Sequence, residues 1–191
     1  MKKNTNNQND PSITHSFTVR ISGSGKYTPA TIERLAGEWP LLRVLDLSSN
    51  IISKYGPETS KQLVKFLQLT NVDMGFNYLK EHAIETAKHL AIIPNLQTVS
   101  MRGNDLLEND ILAIVDIFFT SSVSFLDIGD NNLSPQYCNE INIRVRDLND
   151  SYKHYIEELH VILQGSMDIP IDLIGIVESY IETNPIQIIL E

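Results

Sequence analysis

The sequence predicts an α/β protein: a short, curved solenoid of parallel strands and helices, closed by a C-terminal helical cap. Three observations carry this expectation. The stretch LRVLDLSSNII, Leu42 to Ile52, alternates apolar and polar residues as a strand does and then stops at an asparagine. Leu42, Leu45, Leu47, Asn50 and Ile52 recur as Leu69, Val72, Met74, Asn77 and Leu79, as Leu96, Val99, Met101, Asn104 and Leu106, and as Val123, Leu126, Ile128, Asn131 and Leu133, with an offset of 27 each time (69−42, 96−69, 123−96). Between these copies, apolar residues fall at the three-to-four spacing of helices. One strand and one helix per unit cannot bury an apolar face alone, so units of this kind must stack.

Residues 1–14 open with MKKNTNNQND, which has two lysines but no apolar stretch behind them. This reads as a disordered polar tail and not as a secretory signal. The repeat domain is expected over 15–133. Its first coil departs from the pattern: Val19 and Ile21 match Leu45 and Leu47 at a spacing of 26, but Ser24 stands where the asparagine would be. A helix from about Thr28, with Pro29 in its first position, carries Ile32, Leu35 and Trp39.

Within each regular unit, Leu45 and Leu47 and their equivalents lie two apart and point to one face of a strand, into the stack. The asparagine follows where the chain turns inward and buries backbone groups that need partners. An amide side chain offers both donors and an acceptor, so Asn50, Asn77, Asn104 and Asn131 are expected to form a ladder joining adjacent turns. The helical halves bury Leu63, Phe66 and Leu67 in the first unit, Ala83, Ile84, Ala87, Leu90 and Ala91 in the second, and Ile111, Leu112, Val115 and Phe119 in the third.

Residues 134–191 are expected to form the helical cap. A fifth copy would place a strand near residue 150, and none is readable there. Ser134 can cap and Pro135 can start a helix. Leu148, Tyr152, Tyr155, Ile156, Leu159, Ile162 and Leu163 continue its apolar side to Gly165, with a break into two helices at Asn149 to Ser151. The cap must cover the last strand edge and the open core. A final helix starts at Pro170 after Asp168 and carries Leu173, Ile174, Val177, Tyr180 and Ile181.

The pattern L-x-x-L-x-L-x-x-N-x-L resembles the leucine-rich repeat family, over roughly residues 17–133, about 60% of the chain. The period and the helical second half are similar to the ribonuclease-inhibitor-type repeat. The resemblance implies parallel strands on a concave side and helices on a convex side. It also implies that residues between the buried strand positions line the concave face: Val44, Asp46 and Ser48; Asn71, Asp73 and Gly75; Thr98, Ser100 and Arg102; Phe125, Asp127 and Gly129. Ile169 to Ile181 resembles the opening helix of an F-box, which implies recruitment of a cullin ubiquitin ligase through a Skp-type adaptor. The Asn-, Ile- and Lys-rich composition with isolated repeats is similar to effectors that intracellular bacteria inject into host cells.

Catalytic and cofactor readings find little support. The GSGK at Gly23 to Lys26 lacks the glycine and the hydroxyl of a P-loop, having Arg20 and Tyr27 at those positions. His82 and His89 sit seven apart near Glu85, a spacing that is no zinc motif, and His154, Glu157, Glu158 and His160 form a looser set. Cys138, the single cysteine, has no readable base and allows no internal disulfide, which leans toward a cytoplasmic protein. The expectation is a non-enzyme without metal or cofactor.

What remains is a surface. One concave column reads Asp46, Asp73, Ser100, Asp127, with neighbours about 4.8 Å apart. These carboxylates, with Ser48 and Arg102 beside them and Val44, Phe76 and Phe125 as apolar anchors, form a candidate docking stripe for a protein or peptide with a basic surface. The net charge of −9 fits that sign and disfavours nucleic acid and anionic membranes. The chain has no run of the roughly 20 apolar residues that a membrane-spanning helix needs.

Overall fold

The structure, a computed structural model, describes residues 18–21, 29–131, 133–165 and 186–190. The polar tail, Ser24 and the expected helix at 169–181 lie outside the described residues. The protein is α/β, with one all-parallel sheet of six strands in chain order: β1 (Thr18–Arg20), β2 (Val44–Asp46), β3 (Asn71–Asp73), β4 (Thr98–Ser100), β5 (Phe125–Asp127) and β6 (Gln187–Ile189). Among the described residues five α-helices accompany it: α1 (Pro29–Glu38), α2 (Gly56–Leu63), α3 (Ala83–Ala91), α4 (Glu108–Phe119) and α5 (Pro135–Gly165).

The strand register reproduces the sequence period. Val19, Leu45, Val72, Val99, Leu126 and Ile188 are successive partners across the sheet, and from Leu45 to Leu126 all point into the core. Leu47, Met74, Met101 and Ile128 continue inward beyond the strands and are fully buried. On the helical side Ile32, Leu35, Leu63, Ala83, Ala87, Leu90, Ile111, Val115 and Phe118 join them in one cluster.

Each strand from β2 to β5 is followed by a residue with left-handed backbone immediately before the asparagine: Ser49, Phe76, Gly103 and Asp130, with φ of 55°, 56°, 61° and 54°. That reversal carries the chain inward and buries the asparagines, which are 0 to 3% exposed. The side-chain Oδ1 of Asn77, Asn104 and Asn131 accepts the backbone N–H of Asn50, Asn77 and Asn104 at 3.2, 2.9 and 2.7 Å. Each Nδ2 donates both within its own turn and one turn back, as Asn104 does to the Met101 and Met74 carbonyls, both at 2.9 Å.

Several expectations need correction. Leu67 is exposed: α2 ends at Leu63, and the turn that follows points Phe66 inward and Leu67 outward, its N–H donating to the Pro40 carbonyl at 3.0 Å. In α4 the buried stripe is Ile111, Ile114, Val115 and Phe118; Leu112 and Phe119 flank it and are half-buried. Helix α5 runs unbroken through Asn149 to Ser151. Its docking residues begin earlier than expected, with Tyr137 and Ile141 buried and Val145 and Leu148 packed on the core, while Tyr155 is exposed. The Ser134 hydroxyl accepts the Tyr137 N–H at 3.3 Å, as an N-cap does. Tyr152 meets Phe119 edge-on at 6.0 Å, and Arg144 grips Asp116 of α4 through contacts of 3.0 to 3.2 Å.

The last edge of the regular units is not left to helices. Residues 187–189 add β6 parallel to β5, with the Gln187 N–H donating to Ser124 at 2.8 Å and Ile189 accepting from the Ile128 N–H at 3.0 Å. The C-terminal segment therefore contributes both a helix and a strand to the same core, and Ile186 is buried beside them.

Candidate functional site

Because the middle residue of each strand points into the core, its neighbours point to the opposite, outer face of the sheet. Two columns result. Thr18, Val44, Asn71, Thr98, Phe125 and Gln187 form one, and Arg20, Asp46, Asp73, Ser100, Asp127 and Ile189 form the other. The structure thus brings Val44, Asp46, Asp73, Ser100, Phe125 and Asp127 onto one surface, each half-buried. Arg102 is half-buried next to them and Phe76 is 46% exposed. Ser48 is placed differently: it is 8% exposed, and its hydroxyl donates to Asp46 Oδ1 at 2.6 Å.

The aspartates are not free surface charges. Asp46, Asp73 and Asp127 each accept the backbone N–H two residues onward, from Ser48 at 2.9 Å, Gly75 at 2.8 Å and Gly129 at 3.0 Å. A short carboxylate bonded to its own backbone holds the chain as it leaves the strand. The aspartates thus have a structural task in the turn as well, and their side chains are fixed in orientation.

Cations offset the column at its ends. Arg20 Nε lies 2.9 Å from Asp46 Oδ2, and Arg102 lies 4.0 Å from Asp127 and 2.7 Å from Asp130. The Asp130 bond raises the Arg102 pKa further above its usual range. Between them, among the described residues, no basic side chain pairs with Asp73. Partial burial pushes the Asp73 carboxyl above its ordinary value; the Gly75 N–H opposes this, and the charges of Asp46 and Asp127 add to it.

Other candidate groups do not assemble. His82 and His89 each find a separate carboxylate, Glu81 and Glu85, both at 3.7 Å, and His89 Nδ1 also meets the Ser60 hydroxyl at 3.3 Å. His154 pairs with Glu158 on the exposed side of α5, and Cys138 is half-buried near the start of that helix. Among the described residues no group of three or more His, Cys, Asp or Glu is arranged to hold a metal. Among those same residues no helix is long and apolar enough to cross a membrane.

The reading of the sequence missed two features of this face. Arg20 enters the aspartate column because β1 is in register, and Phe76 stands one unit before Gly103 in the column of left-handed residues. The second was available from the 27-residue offset, since a ring beside a glycine in a stacked column can lie across it. In comparison with known proteins, no family model matches the chain and no curated sequence matches it.

Proposed function

We propose that the protein is a leucine-rich-repeat binding module, without catalytic activity, that takes a basic protein or peptide segment on the outer, concave face of its sheet. The observation that supports this most is the column of three oriented carboxylates with an exposed aromatic ring beside it. Fixed acceptors recognise a cation at little cost in ordering. Six strands span about 24 Å, enough for a peptide, a helix or one face of a domain. Action in a cytoplasm, including that of a host cell reached by bacterial secretion, belongs to the same reading and is supported by the composition and the lone Cys138.

The test is quantitative affinity capture from a eukaryotic lysate with the full chain and with a variant carrying Asp46→Asn, Asp73→Asn and Asp127→Asn. Asparagine keeps an acceptor for each backbone N–H, whereas lysine would remove it, so the fold is retained while the charge is lost. A partner held by the full chain and lost by the variant supports the proposal. A partner held equally by both moves the site off this face. The F-box-like reading of 169–181 predicts instead a Skp-type adaptor that is lost when Leu173 and Val177 are replaced by Asp. Substitution is preferable to truncation there, because stopping the chain before Ile169 would also delete β6.

A further inference from the structure

Where the chain leaves β3, buried and exposed residues alternate: Asn77 and Leu79 are fully buried, while Phe76 and Tyr78 are 46% and 53% exposed. The preceding unit repeats the pattern, with Asn50 and Ile52 buried and Ile51, between them, 65% exposed. The turns are stacked in register here. The Ser49 N–H donates to the Gly75 carbonyl at 2.9 Å, and the Ser53 N–H donates to the Asn77 carbonyl at 2.8 Å. Ile51 and Tyr78 are therefore neighbours in adjacent units, and with Phe76 they form an apolar rim beside the outer face of the sheet.

The fold does not ask for these residue types. Phe76 and Tyr78 both have left-handed backbone, at φ of 56°, which is unfavourable for bulky side chains. At the same two places the next unit has Gly103 and Asp105, at 61° and 55°, types that accept this conformation more readily. The Phe76 ring also lies where a β-carbon of Gly103 would be, so the neighbouring unit holds it in place. Strain and exposed apolar area at one rim together point to a partner that covers it.

Whatever covers the rim also meets the aspartates. Asp73 and Phe76 are three residues apart, so column and rim run side by side within about 11 Å. Asp73 has no basic partner among the described residues, and Lys80 and Asp105 at the rim stand 4.0 Å apart and offset each other. A second copy of this chain would bring a net charge of −9 against a column of the same sign, which selects against self-association. The width suits one α-helix, about 10 to 12 Å across with its side chains. Turns of a helix rise about 5.4 Å, close to the roughly 4.8 Å between strands, so a helix laid along the columns keeps step with about three units.

We infer that this surface takes a basic amphipathic helix of a partner protein. Bulky apolar residues at three-to-four spacing cover Ile51, Phe76 and Tyr78, while cations on the adjoining side meet Asp73 and its column. The inference rests on the reading of the outer face as a partner-binding surface and adds the partner's secondary structure and its apolar half.

The test uses a fluorescein-labelled model helix of about 14 residues, with leucines at three-to-four spacing, lysines on the adjoining side and glutamines elsewhere. A peptide of the same composition with leucines and lysines alternating is the control. Binding to the full chain is followed by anisotropy at low and high salt and located by amide chemical shifts. The helical pattern is expected to bind about tenfold more tightly than the alternating one. Tyr78→Asn and Phe76→Asn keep a residue that tolerates left-handed backbone and are each expected to weaken binding about fivefold or more without changing its salt dependence. Asp73→Asn is expected to weaken binding and to flatten that dependence. Should Phe76→Asn fail to fold, Tyr78→Asn decides alone, since its side chain is half exposed. Equal affinity for the two patterns, or no saturable binding of the model helix, overturns the inference. Binding that needs Asp73 but is indifferent to Tyr78→Asn overturns the rim while leaving the outer-face proposal standing. Shifts centred on the opposite edge of the units, at Leu41, Leu67 and Ile92, overturn both.

Discussion

The asparagine ladder makes a quantitative prediction, because its members are not equivalent. Asn104 Oδ1 accepts two backbone N–H groups, from Asn77 at 2.9 Å and Leu79 at 3.3 Å. Among the described residues Asn77 Oδ1 accepts one, from Asn50 at 3.2 Å. The carbonyls, by contrast, are doubly served. Met74 O takes Nδ2 donors from both Asn77 and Asn104 at 2.9 Å, and Leu47 O takes them from Asn50 at 2.7 Å and Asn77 at 3.0 Å. Replacing any one asparagine therefore leaves these carbonyls with a donor, and the penalty is set by the orphaned N–H groups. At about 1 to 3 kcal/mol for each buried group left unsatisfied, Asn77→Ala is expected to cost about 1 to 3 kcal/mol and Asn104→Ala about 2 to 5, the longer second bond contributing less.

Urea unfolding followed by circular dichroism measures both losses, with the slope against urea checking that the same surface is exposed in each variant. For a chain of this size, each kcal/mol corresponds to roughly 2 to 4 °C in Tm, so the two variants separate clearly in thermal melts as well. Equal losses, or a smaller loss for Asn104→Ala, would refute the accounting by orphaned donors. Unchanged stability in both would remove the ladder as a source of stability.

Three other predictions follow from the same face and its edges. Gly103→Ala places a methyl group where the Phe76 ring lies and strains a φ of 61°, so it is expected to destabilise by about 1 to 3 kcal/mol; in a Phe76→Ala background the loss is smaller, and a double-mutant cycle by urea unfolding that shows no coupling would refute the contact. Stopping the chain after Asn184 removes β6 and Ile186, lowers stability by about 2 to 5 kcal/mol through lost burial and opens the β5 edge; a variant that stays monomeric by light scattering with an unchanged Tm would refute that role. Asp73 has a folded-state pKa above its ordinary 3.8, so in that window the native state holds more protons than the unfolded one, and stability falls as pH rises through the folded value. Asp73→Asn is accordingly expected to gain Tm relative to the parent at pH 7 and to lose that advantage below pH 3.8; a gain that does not depend on pH would refute the assignment.

The strands were legible because their period is exact over four units and each position has one physical task, which is why the inward residues, the asparagines and the helix starts stand where the spacing puts them. The rest lacked such a period. β6 follows β5 with Ile188 opposite Leu126, 62 residues on (188−126), and three residues without a repeat give no signal of pairing. Helix α5 was readable, but not its docking face, since Tyr137 and Ile141 sit in a stretch otherwise rich in polar residues. Leu67 illustrates a different failure: helical spacing continues on paper past the point where α2 ends, and an apolar residue after that point can face either way. Of the candidate site, the aspartate column was visible in the sequence, but its bonds to the backbone were not, because exposure and a short polar side chain are equally compatible with solvation and with a turn.

Those backbone bonds change what the column can do. A carboxylate on a flexible exposed side chain loses rotamer freedom when it binds a cation, and much of the attraction is spent on ordering. Asp73 is held by the Gly75 N–H before any partner arrives, so that loss has already been met by folding. Asp46 has Arg20 at 2.9 Å and Asp127 has Arg102 at 4.0 Å, so Asp73 is the carboxylate of the column that no basic side chain among the described residues pairs with. The device that turns the chain out of each strand therefore also presents an oriented acceptor on the outer face.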